Sequence, residues 1–278
     1  MKLKIFIISQ EEPFYIPKVI RYILEHQNKN FQIIGSTRLR PNRKDKKLFD
    51  WLIERTQLYT CWELLIVSFL MFYCKIWYTL ISKFGVYNPY SVKYLYEKHN
   101  IKEFHTKNIN DTKYLKQIQA LDVDIILSIS SPQLFGNNLL KLPKLICLNA
   151  HGTLLPKHRG VFGSWWMLFE GDKTIGATIH TMVEKIDAGD IVWQKELPKP
   201  NKATQYYIAY HTKRLIAKGV VEIINEISNN KMETYLSHNK GSYHRAPTKK
   251  QGKLFHQKGL KIITISNAKY VLVKSFKN

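Results

Sequence analysis

The sequence predicts an α/β fold: a doubly wound, mostly parallel sheet followed by a small helical and basic C-terminal extension. Three observations predict it. Short apolar runs alternate with stretches of helix length through the first 150 residues, a pattern that pairs strands in parallel. A helical periodicity runs from about residue 200 to 228, with Ile208, Leu215, Ile216, Val220 and Ile224 on one broad face. With 278 residues, 45% apolar and 23% charged, the chain has material for one sizeable core and lacks the composition of a disordered chain.

The first strand is expected over residues 3–9, whose apolar run is too short for a signal-peptide core. Apolar positions at helical spacing predict a helix over 14–27, and 31–36 reads as a second strand. A short strand is expected at 101–105. Val-Asp-Ile-Ile-Leu-Ser-Ile at 123–129 and Leu-Ile-Cys-Leu-Asn-Ala at 145–150 complete the series as fourth and fifth strands. Ligands of such sheets sit beyond the carboxyl ends of the strands, which places residues 9–14, 130–132 and 149–151 at one rim. The expected division is a main domain over 1–200, with an apolar helical insertion at 61–83, and a C-terminal helix and basic tail over 201–278. The apolar stretches 260–265 and 270–273 are expected to pack.

Residues 61–83 interrupt the alternation. Residues 64–74 are 11 uncharged, mostly large apolar positions, and 76–82 add seven more after Lys75. A bilayer span needs about 20 uninterrupted apolar residues. Two readings are kept instead: a packed helix, and a helix lying in a membrane surface as a peripheral attachment. The preceding residues 38–47 carry six positive charges and one negative, a flank that an anionic leaflet attracts.

The charge balance is strongly basic, with 43 Lys+Arg against 21 Asp+Glu, a formal +22. Nucleic acid, an anionic membrane and a phosphorylated small molecule are the partner classes such a surplus admits. Yet the surplus is 35 Lys against 8 Arg, and biased base composition produces that pattern unaided. Arg has the planar fork that suits phosphates and bases. The tail 231–278 holds 11 Lys+Arg against the single acid Glu233. Cys61, Cys74 and Cys147 show no CxxC spacing, so neither a disulfide framework nor a zinc knuckle is expected, and a cytoplasmic, reducing location fits.

The chemistry concentrates in residues 149–191. There Asn149-Ala-His151-Gly152-Thr-Leu154-Leu155-Pro156-Lys-His-Arg159-Gly160 is followed by Ile186-Asp187-Ala-Gly189-Asp190. Asn-x-His-x-x-Leu-Leu-Pro-x-x-Arg-Gly with a later Asp-x-Gly-Asp resembles the formyltransferases that use N10-formyltetrahydrofolate. The dense match covers about 45 residues, and the strand order is similar over about 1–200. The resemblance implies a Rossmann-like formyltransferase fold, N10-formyltetrahydrofolate as formyl donor, and Asn149, His151 and Asp187 as catalytic residues. Formyl transfer to an amine passes through a tetrahedral oxyanion, which Asn149 N–H and His151 are suited to stabilise. Asp187 is suited to orient His151 and to take the proton that the attacking amine loses. The resemblance also places the folate between residues 127–132 and 183–187, with Leu127, Ser128, Ser130, Pro132, Val183 and Ile186 as its neighbours.

Each residue has a plainer reading. Asn149 could cap a turn, Asp187 could be a turn aspartate, and Trp165 and Trp166 are better placed in the core than on a ligand. His180 is expected in a strand, packing or orienting the loop, and His158 is expected to be exposed. No zinc-enzyme motif joins His151, His158 and His180, so no metal is expected.

The loop Ser9-Gln10-Glu11-Glu12-Pro13-Phe14 has two acids and no glycine, a poor phosphate cradle, which argues against glycinamide ribonucleotide. The tRNA branch of the family carries a C-terminal barrel of roughly 100 residues, longer than the 78 that follow position 200 here. The expected substrate is therefore a small molecule, a nucleotide- or lipid-linked amino sugar of surface polysaccharide synthesis. The expected site of action is the cytoplasm, extending to the inner face of the membrane. Nucleic acid is not the expected partner, and a homodimer is kept open. The alternatives are a methionyl-tRNA formyltransferase-like enzyme, and a non-catalytic basic RNA- or membrane-binding module on the same fold.

Overall fold

The computed structural model describes residues 2–40, 56–234 and 241–276. Four strands, β1 (Leu3–Gln10), β2 (Phe31–Leu39), β3 (Ile125–Ile129) and β4 (Ile146–His151), run parallel. After the two-residue β5 (Arg159–Gly160), strands β6 (Thr174–Thr181) and β7 (Ile191–Pro198) extend the β4 edge antiparallel. The sheet order is β2-β1-β3-β4-β6-β7. β8 (Tyr243–His244) pairs in parallel with β5, setting Gly160 opposite His244.

The pleat sends alternate side chains to opposite faces. Ile5, Ile7, Leu127 and Leu148 join one apolar cluster with helices α1 (Ile16–Glu25), α2 (Cys61–Ser82) and α3 (Val92–Lys98). Phe6, Ile8, Ile126 and Cys147 join another with α4 (Thr112–Gln119) and α5 (Asn137–Leu140). Helices thus cover both faces, the expected doubly wound arrangement. After α6 (Gly163–Phe169), the long α7 (Gln205–Ser228) starts at Thr204, whose hydroxyl accepts from Tyr207 N at 3.1 Å. It buries Ile208, Ile216, Val220 and Ile224 in the first cluster.

The tail does pack. Helix α8 (Lys249–Gln257) lays Phe255 on Trp165 with ring centroids 4.9 Å apart, and both tryptophans of α6 are core residues. Ile262, Ile263 and Val271, the last on α9 (Ala268–Leu272), are buried as well.

Residues 101–105 form no strand. Polar Lys102, Glu103 and His105 leave only an isolated bridge between Glu103 and Ser36. The strand expected as the fourth is therefore β3, and the one expected as the fifth is β4. Helix α2 runs unbroken past Lys75, with a wider π turn over Phe72–Trp77. A capping box between Thr60 and Glu63 starts it. Of the basic stretch 38–47, residues 41–47 lie outside the described residues.

Candidate active site

The site is assembled at the carboxyl end of β4. Register sets Asn149 opposite Ser128 on one side and opposite His180 of β6 on the other, so three neighbouring strands converge there. Asp187 arrives from the loop between β6 and β7 with φ +48. That loop is held close by Gly189, where a Cβ would meet the Thr181 carbonyl.

The structure brings Asn149, His151 and Asp187 together. Asn149 Nδ2 donates to Asp187 Oδ1 at 3.2 Å and lies 3.1 Å from His180 Nε2. His180 Nδ1 faces the Thr181 carbonyl at 2.7 Å, and its Nε2 also stands 3.5 Å from Asp187 Oδ1. Gly160 N donates to Asp187 Oδ2 at 2.8 Å. Gly160 has φ +98, and a Cβ there would strike the His244 carbonyl, so the turn needs glycine to approach Asp187. His151 Nδ1 stands 3.6 Å from Asp187 Oδ2, and its Nε2 donates to the His158 carbonyl at 3.0 Å.

The electrostatics follow from this packing. Burial pushes the Asp187 carboxyl up, but the His180 and His151 rings and the Gly160 N–H outweigh it and hold the pKa at about 2. Burial lowers the His151 pKa, opposed by the Asp187 charge and reinforced by Lys213. The site thus pairs a fixed negative charge with an imidazole that favours its neutral form. Asn149 Nδ2 lies against both Asp187 and His180 at rest, so donating to a new oxyanion requires the amide to leave one of them.

Two further residues matter here, and Lys213 carried no signal in the sequence. Lys213 of α7 donates to Ser130 Oγ at 2.6 Å, and burial brings its pKa down to about 8. Glu12 turns back onto the start of α1, where Oε2 accepts from Phe14 N at 2.9 Å and Oε1 from Tyr15 N at 2.6 Å and from Ile16 N. A side-chain carboxylate therefore occupies this helix N-terminus.

The expected folate neighbours divide. Ser130 (φ +55) and Pro132 follow β3 at the rim, and Val183 and Ile186 lie in the loop before Asp187. Leu127 and Ser128 are not loop residues. They lie within β3, buried and paired to β1 and β4 on both sides, so the ladder occupies their backbone groups.

His158, expected at the surface, is buried instead. Its Nε2 meets Asp172 Oδ2 at 2.7 Å, and its ring stacks on His244 at 5.2 Å. Among the described residues His158, Glu170 and His244 offer ligand atoms within 4.8 Å of one another. The two rings lie only 26° from parallel, and His244 also stacks on Trp166. That geometry suits stacked rings sharing carboxylate partners more than lone pairs converging on one ion. Clefts of about 330 and 470 Å³ open beside His158 and Phe104, and neither is lined by Asn149, His151 or Asp187.

Comparisons with known proteins bear on the family of the chain. Over 114 residues the chain is 42% identical to the bifunctional polymyxin resistance protein ArnA of Wigglesworthia glossinidia brevipalpis, covering 41% of this chain and 17% of that protein. Over 118 residues it is 38% identical to a methionyl-tRNA formyltransferase of Halalkalibacterium halodurans, covering 42% of this chain and 37% of that one. The chain thus spans well under half the length of these relatives. In structure it resembles a 4-N formyltransferase from Francisella tularensis, with a TM-score of 0.56 at 19% identity, covering 98% of this chain and 87% of the other. The family model described as formyl transferase matches residues 87–234, just over half of the chain and including Asn149, His151 and Asp187. The chain belongs to the formyl transferase family.

Proposed function

We propose that the protein transfers a formyl group from N10-formyltetrahydrofolate to the primary amine of a nucleotide- or lipid-linked amino sugar. The observation that carries this reading is the junction of Asn149, His151 and Asp187 at the β4 rim, with the Asp187 pKa held at about 2.

In the proposed reaction the amine lone pair adds to the formyl carbon, and the carbonyl becomes an oxyanion. Asn149 N–H and the Nε2–H of His151, the latter turned away from the His158 carbonyl, stabilise it, each donor being worth about 3–4 kcal/mol. The former amine loses a proton, N10 of the folate gains one, and the C–N10 bond breaks to release tetrahydrofolate. A carboxylate as acidic as Asp187 is a weak final acceptor, so its proposed part is to orient His151 and steady positive charge while the proton passes through water. The proposed pterin site runs along Ser130, Pro132, Val183 and Ile186.

Two features favour an amino sugar over other amines. Glu12 already fills the start of α1, where a ribonucleotide phosphate would otherwise find backbone donors. The described part of the tail forms helices α8 and α9, which pack on the core, and one short strand, where the resemblance implies a barrel for the tRNA branch. The identity with methionyl-tRNA formyltransferases keeps that substrate as the second reading.

The test is a panel of nucleotide-linked amino sugars, glycinamide ribonucleotide and methionyl-tRNA, each offered with N10-formyltetrahydrofolate and read by mass. A formyl gain on an amino sugar is expected. A gain on methionyl-tRNA alone would replace the proposed substrate, and no gain on any amine would favour a binding module.

A further inference from the structure

Helix α2 presents a second apolar face that the fold does not use. Glu63, Leu70, Cys74 and Tyr78 are buried against the body. Opposite them, Trp62, Leu65, Phe69, Phe72, Ile76 and Leu80 recur every three or four residues and are 47–63% exposed. The helix is therefore apolar on two opposite sides, although only one is packed. Just past its end Phe84 is 86% exposed.

This face is built rather than frayed. Glu63 Oε1 accepts from Ile262 N at 2.7 Å, and His256 Nε2 reaches the Leu58 carbonyl at 2.9 Å, so the tail pins the start of the helix. Lys274 sits over the Tyr78 ring at 5.8 Å and ties down the far half. Held along its inner side, the helix lies on the molecule and offers its outer stripe as a ridge.

We propose that this ridge seats the protein on an anionic bilayer surface, with α2 lying in the interface plane. The residue types fit that depth, because Trp62, Trp77, Phe69 and Phe72 are large aromatic side chains suited to the headgroup boundary. The charge fits as well. Lys75 on the helix and Lys83 just past its end are exposed, and the chain as a whole carries a formal +22. Acidic lipid attracts such a surface. A second copy of this chain would instead bring two +22 molecules together, against their mutual repulsion.

The experiment floats the full chain with vesicles of phosphatidylcholine, with and without phosphatidylglycerol, alongside Phe69→Ser/Phe72→Ser. Both substitutions lie on the outer stripe, so the circular dichroism and melting of the variant check that the fold is intact. The wild type is expected to float with the anionic vesicles, less so as salt rises, and the variant to bind at least ~10-fold more weakly. A wild type that ignores anionic vesicles at low salt overturns the proposal, as does a folded variant that floats equally well. A dimer that the variant turns into a monomer, without vesicle binding, assigns the ridge to a second copy and also overturns it. None of these outcomes depends on which amine is formylated.

Discussion

The Asp187 carboxyl, held at about 2, is ionised at any pH where assays are run, so its charge is a constant that His151 senses. Opposite charge favours the protonated imidazole and like charge disfavours it. Asp187→Asn is therefore expected to lower the His151 pKa further, and Lys213→Met to raise it. Titration of His151 by NMR in the two variants checks this; shifts of the same sign would break the electrostatic account. Asn149, His151 and Asp187 were legible because their order and spacing survive in one dense motif. Lys213 was not. Lys213 is one of 35 lysines, and its partner Ser130 is 83 positions away, a contact only the fold creates. His158 misled for a similar reason. A polar residue in a turn reads as exposed until Asp172 and His244 close over it.

Helix α2 depends on a few polar contacts for its seat. Glu63 is buried, caps its own helix by accepting from Thr60 N at 2.9 Å, and satisfies the Ile262 N–H of the tail. Glu63→Ala is expected to cost about 2–3 kcal/mol, from the lost cap and a buried N–H left unpaired. Urea unfolding of the full chain measures it, and a loss below about 0.5 kcal/mol would mean the tail is held by other contacts. The strongly periodic elements were legible, since β1, β3, β4 and α7 need only their own apolar spacing. The strand expected at 101–105 failed because Phe104 is buried while Glu103 and Ser36 form only a lone bridge. The expected strand numbering therefore ran one too high beyond that point. The two-residue β5 and β8 had no periodicity to read, yet their pairing places Gly160 beside Asp187.

Across the whole molecule, the sheet supplies a rim, α7 reaches it with Lys213, and the basic tail packs as α8 and α9 rather than standing apart. The doubly wound class was legible from alternation alone. The antiparallel β6 and β7 were not, because strands of similar composition pair in either sense and only the intervening chain decides. The surplus charge was the least specific signal in the sequence, and the fold uses some of it locally, as where Arg38 lies between Glu11 and Glu103. The central claim is that Asn149, His151 and Asp187 form one formyl-transfer centre. Its most direct test is tetrahydrofolate release from N10-formyltetrahydrofolate and an accepted amino sugar, measured for wild type, Asp187→Asn and Asn149→Ala, with circular dichroism confirming each fold. The account predicts rapid release by the wild type and a loss of about 100-fold or more in both folded variants. Turnover retained by both variants would contradict it.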